Sequence, residues 1–130
     1  PAITRSTNLS VVGATVYTVP SISLEGSRSA ITITGNGQPS DQVVINVAGA
    51  MALNQGASIR LVNILPSQVL FNVTGTAGVS ANTDGPTTSQ VTFRGTLITT
   101  GPIKAINAQF IGSVVAGASV TLTNVTQQQV

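Results

Sequence analysis

Apolar and polar residues alternate along most of this chain, in short runs. Ser29-Ala30-Ile31-Thr32-Ile33-Thr34 is one such run, and Ser119-Val120-Thr121-Leu122-Thr123 is another. Others occupy residues 9–12, 15–19, 42–47, 58–63, 68–74, 90–98 and 110–115. A period of two sends successive side chains to opposite faces, which is the pattern of a strand and not of a helix. Val, Ile and Thr fill 46 of the 130 positions, and these β-branched side chains pack well on a pleated surface. The best helical stretch, Gly49-Ala50-Met51-Ala52-Leu53-Asn54-Gln55, is short and halts at Gly56. The chain reads as all-β.

Turn residues bound the runs: Gly35-Asn36-Gly37, Gln38-Pro39-Ser40-Asp41, Leu65-Pro66-Ser67 and Gly101-Pro102. The longest candidate loop covers residues 75–88, with Val79 marking a candidate short strand inside it. No shift in composition divides the chain, so residues 1–130 are read as a single all-β domain.

Two internal matches refine that class. Val43-Val44-Ile45-Asn46-Val47-Ala48-Gly49 aligns with Val69-Leu70-Phe71-Asn72-Val73-Thr74-Gly75, about 26 residues on. Phe93-Arg94-Gly95-Thr96-Leu97-Ile98 aligns with Phe110-Ile111-Gly112-Ser113-Val114-Val115, about 17 residues on. In a solenoid each coil stacks its inward residues on those of the next, and insertions make the spacing unequal. A β-helix is therefore expected; regularly spaced strands leave a β-sandwich or jelly roll as the alternative. The expected inward set is Ile31, Ile33, Val43, Ile45, Val47, Ile59, Leu61, Val69, Phe71, Val73, Phe93, Phe110, Val120 and Leu122.

Composition excludes most chemistry. There is no His, Cys or Trp, so no imidazole base, thiolate, disulfide or ordinary zinc site can form. The acids are Glu25, Asp41 and Asp84, and turn formation accounts for both Asp residues. A glycosidase needs paired carboxylates across a cleft, and a serine nucleophile would have to use Lys104 as its base. Lys104 could in principle join Asn107 through an isopeptide bond beside Asp41 or Glu25, but it reads as a solvated edge lysine. No catalytic, cofactor-binding or metal-ligating residue is expected, and the chain is read as no enzyme. Arg5, Arg28, Arg60, Arg94 and Lys104 stand singly along the sequence, with few aromatics beside them. No nucleic acid is expected as a partner. No run is long enough for a membrane span. The chain opens on Pro1, and a processed or excised piece of a longer product is expected.

Several stretches are similar to a known family. They are Ala30-Ile31-Thr32-Ile33-Thr34-Gly35, residues 42–49, Gly56-Ala57-Ser58-Ile59-Arg60-Leu61, and Ser67-Gln68-Val69-Leu70-Phe71-Asn72-Val73-Thr74-Gly75. With residues 93–98 and 110–120 they resemble the choice-of-anchor A family of bacterial surface domains, over its C-terminal portion. That family is similar in turn to ice-binding-like adhesion domains. Thr99-Thr100-Gly101-Pro102 stands where the family carries Ala-Pro-Asn. The resemblance implies a β-helix displayed outside the cell or on its surface, joining surfaces without catalysis.

The strand faces add a second line. Thr-x-Thr pairs at Thr32/Thr34 and Thr121/Thr123 could order water on an ice-binding face, but the intervening strands carry Val44, Asn46 and Ala48, then Leu70, Asn72 and Thr74. The ranks are broken, so ice binding stands behind the other readings. Asn8, Asn72 and Asn124 open weak glycosylation sequons. Asn46 and Asn72 are expected to face outward. Beside them Val44 and Leu70 make strands apolar on both sides, and with only 6% charged residues this favours contact with another surface. The expected function is a non-catalytic, secreted structural or adhesion module, contacting other copies as a homo-oligomer or polymer, a cell-wall polymer or a glycan. The alternative is a self-assembling subunit of an extracellular filament or shell, its loose ends donating a strand by β-augmentation.

Overall fold

The computed structural model describes residues 2–83 and 90–128. It contains β1 (Thr7–Ser10), β2 (Ala14–Val19), β3 (Ile22–Glu25), β4 (Ala30–Thr34), β5 (Gln42–Val47), β6 (Met51–Asn54) and β7 (Ser58–Val62). A 3-10 turn at Pro66–Gln68 leads into β8 (Val69–Val73), β9 (Val79–Asn82), β10 (Val91–Arg94) and β11 (Thr96–Thr99). The last strands are β12 (Ile103–Ile111), β13 (Val114–Ala116) and β14 (Val120–Gln128).

All described pairings between these strands are parallel. They run down three faces of a solenoid. The first face stacks β1, β4, β7, β10 and the second half of β12. The second stacks β2, β5, β8, β11 and β13. The third stacks β3, β6, β9 and the first half of β12. Strand β14 lies along the whole of β12, and so adds to the first and third faces together. A sandwich or jelly roll would need antiparallel ladders, so the β-helix is the architecture and those alternatives fall away.

Both sequence repeats are true coil registers. Val43 pairs with Val69 and Asn46 with Asn72, 26 residues apart. Phe93 pairs with Phe110 and Leu97 with Val114, at the 17-residue spacing of the last coils. The glycine in each repeat marks a corner. Gly112 has φ 131°, and a Cβ there would run into the carbonyl oxygen of Gly95 in the coil beneath. A Cβ on Gly75 would likewise strike the Gly49 carbonyl. Coils can stack this closely only where the side chain is absent.

The core is the column enclosed by the faces. Phe71 and Phe93 meet edge to face, with ring centroids 5.1 Å apart at 64°. Phe93 and Phe110 continue the stack at 5.9 Å. Ile31 and Ile59 on the first face, Ile45 and Leu97 on the second, and Leu24, Met51, Leu53 and Ile103 on the third are buried around it. Burying each such side chain contributes about 1.5–3 kcal/mol.

The short apolar stretch around Met51 forms β6, on the third face, in keeping with the all-β reading. Three expectations need correction. Val120 and Leu122 point inward, in register with Ile103 and Ala105, yet they are 49% and 53% exposed. Among the described residues none stacks upon β14. Leu61 is half-buried. The N-terminal segment is no loose arm either: β1 pairs with β4, and Leu9 and Val11 are buried in the core.

Candidate contact face

The expected site residues are scattered. Glu25 ends β3 and is exposed on the third face, and Lys104 is exposed further down that face, beside Ser80 and Thr121. Asp84 lies outside the described residues. Asn107 gives its amide Nδ2 to the Thr83 carbonyl at 2.9 Å, and its Oδ1 accepts from Asn124 Nδ2 at 2.7 Å. That amide ladder pins a corner, and Asn107 is bonded there to groups other than Lys104.

Among the described residues Asp41 is the one buried acid, 2% exposed, in the corner before β5. Its carboxylate accepts backbone N–H bonds from Asn36 at 2.7 Å, Gly13 at 3.0 Å and Gln38 at 3.4 Å. The bonds from Asn36 and then Gly13 hold its pKa below the ordinary 3.8, against the opposing effect of burial. Gln68 braces the same corner, its Nε2 donating to the carbonyls of Asp41 at 2.8 Å and Gln38 at 3.0 Å. These groups close a joint between coils. Among the described residues no cluster of three or more His, Cys, Asp or Glu is gathered.

What the coils do assemble is an uncharged outer face on β2, β5, β8, β11 and β13. Register places Val16, Val44, Leu70 and Thr96 in one outward row. Thr18, Asn46, Asn72, Ile98 and Val115 form the next. Parallel strands set these rows about 4.8 Å apart per step. Val16 and Val115 are 65% and 56% exposed, and Val44 and Leu70 are half-buried. Asn72 Nδ2 donates to Asn46 Oδ1 at 3.1 Å, so the two amides face outward as expected and are linked to one another. Along the margin, Thr100 Oγ1 donates to the Thr74 carbonyl at 2.9 Å.

Neither row contains a charged residue. Arg60 and Arg94 stand on the first face, Glu25 and Lys104 on the third. Sequence reading located the shortage of charge without saying where on the molecule it falls. It also took the arginines as isolated, whereas Arg28 and Arg60 line one cleft. No helix among the described residues is long and apolar enough to cross a membrane.

No family model matches the sequence, and no curated protein matches it either. The fold has solved counterparts. One is an ice-binding protein with antifreeze activity from an Arctic yeast, LeIBP, which superposes with a TM-score of 0.73 at 19% identity. The match covers 99% of this chain and 50% of that one, so this chain spans half the length of its structural neighbour. The chain thus has an ice-binding-like β-helical fold.

Proposed function

We propose that this chain is a non-catalytic structural or adhesion module that works by contact, and that its contact surface is the outer face of β2, β5, β8, β11 and β13. The observation that carries the reading is the pair of outward rows from Val16 to Thr96 and from Thr18 to Val115, half apolar and free of charge. Contiguous apolar surface of this kind marks contact sites. Display outside the cell or on its surface is supported by the resemblance to bacterial surface domains. The occupant the chemistry fits best is a second copy of the same face. Identical faces without charge do not repel, and the Asn46 and Asn72 amides are already linked to one another within the face.

A second reading is favoured by the structural neighbour, a protein that binds ice. The same face would then meet an ice surface, with Thr18 and Thr96 among Val16, Leu70 and Ile98.

Sedimentation velocity over a concentration series, beside adsorption of labelled protein to a growing ice front, tests both readings. The wild type is expected to associate with rising concentration, and a Val44→Lys/Leu70→Lys variant to stay monomeric with an unchanged circular dichroism spectrum. Adsorption to ice by a wild type that stays monomeric would put the second reading first. A monomeric wild type that ice excludes would overturn both.

A further inference from the structure

The first face carries the opposite chemistry. Arg28, in the turn at residues 26–29 that leads into β4, and Arg60 on β7 line one cleft of about 360 Å³. Ser6, Thr7, Asn8 and Thr32 complete its polar lining, and among the described residues no carboxylate enters it. The coil register creates the site: Asn8, Thr32 and Arg60 are successive partners on β1, β4 and β7. The turn holding Arg28 is fixed by Ser6, whose Oγ donates to the Arg28 carbonyl at 3.0 Å and accepts from the Ala30 N–H at 3.1 Å.

The neighbouring Arg94 shows what an arginine does here when it has a structural task. Its Nη1 donates to the Ile59 carbonyl at 3.0 Å. The guanidinium groups of Arg28 and Arg60 have no such partner among the described residues, and both side chains are exposed. Two like charges lining one concavity repel, and an anion between them relieves that repulsion. The planar fork of a guanidinium matches the two oxygens of a carboxylate or the edge of a sulfate. Hydroxyls and an amide at Ser6, Thr7, Asn8 and Thr32 suit the neutral hydroxyls of a sugar. Asn8, Thr32 and Arg60 also form a line across the strands, in steps of about 4.8 Å, which suits a linear chain.

We propose that this cleft binds an acidic sugar unit of an anionic polysaccharide, Arg28 and Arg60 clasping its carboxylate or sulfate. The site lies on a different face from the uncharged rows and stands whatever those rows contact.

Binding to polygalacturonate, dextran sulfate and neutral dextran, measured by biolayer interferometry at low and high salt, tests it. The wild type is expected to bind at least one acidic polymer and not dextran. The preferred polymer then tells carboxylate from sulfate. Arg28→Gln/Arg60→Gln is expected to weaken binding about ten-fold or more, in keeping with the loss of charge-assisted hydrogen bonds. Lys104→Gln removes a charge from the third face and should stay within about two-fold, which separates a built site from general electrostatic attraction. Leu70→Lys should bind as the wild type does, so failure of the contact-face reading would not be mistaken for failure here. No binding to either acidic polymer, equal binding to dextran, or equal loss in Lys104→Gln would overturn the proposal.

Discussion

Asn124 sits directly above Asn107, one coil on, and donates its amide to the Asn107 side-chain oxygen at 2.7 Å. Both residues hold positive φ, 54° and 52°, a conformation that Asn tolerates better than most side chains. This stacked pair turns the chain from the third face to the first without breaking β12 or β14. Replacing Asn107 by Ala removes both the amide ladder and the residue type suited to the bend. Asn107→Ala should lower stability by about 1–3 kcal/mol. Asn107→Gly, which relieves the backbone but not the lost bonds, should cost less. Urea denaturation midpoints of the two variants check the order.

Phe93 lies between Phe71 and Phe110 and is fully buried. Phe93→Ala should destabilise by about 3–5 kcal/mol. Phe93→Leu, which keeps most of the volume, should cost clearly less. Thermal unfolding followed by circular dichroism measures both, and equal losses would contradict the stacked core.

The Asp41 carboxylate is lowered in the fold by the backbone N–H bonds from Asn36 and Gly13. Its contribution to stability is therefore present above the unfolded value near 3.8 and is lost as pH falls through the lower folded value. Wild-type stability should drop on acidification from about pH 5 towards pH 2. Asp41→Asn should start less stable at neutral pH and vary less over that range. Melting temperatures across a pH series give the slope; parallel curves would exclude Asp41 as the source.

Gly112 meets the Gly95 carbonyl at a corner where φ is 131°. Gly112→Ala should destabilise by about 1–3 kcal/mol, through backbone strain and crowding together. Gly37→Ala is the control, since φ is also positive there but a Cβ would meet nothing within 4 Å. Its cost should be the smaller, and an inverted order in chemical denaturation would dispute the close stacking of coils.

The sequence carries the first two faces in legible form because their strands are Val-, Ile- and Thr-rich and keep the period of two. Val43 over Val69 and Phe93 over Phe110 were visible as repeats and prove to be direct partners. The third face was harder to read. Ala52, Ser80 and Ala81 are small residues with weak strand preference, so β6 resembled a helix and β9 a loop. Val120 and Leu122 alternate like any core strand, and periodicity reports which way a side chain points, not whether another coil covers it. Arg28 and Arg60 were missed as a pair because the coils differ in length. No fixed spacing joins two residues that unequal coils bring side by side.

The coil spacing varies, from 26 residues between β5 and β8 to 17 between β11 and β13, yet the strands of that face remain in parallel register. Among the described residues, the extra length leaves at the corners between strands. The molecule thus behaves as a ruler whose graduations are set by backbone hydrogen bonds, at about 4.8 Å. A short corner can be lengthened, or a long one trimmed, while the outward rows keep their pitch. Corner length and face pattern are therefore separable variables, open to independent change by selection or by a protein engineer.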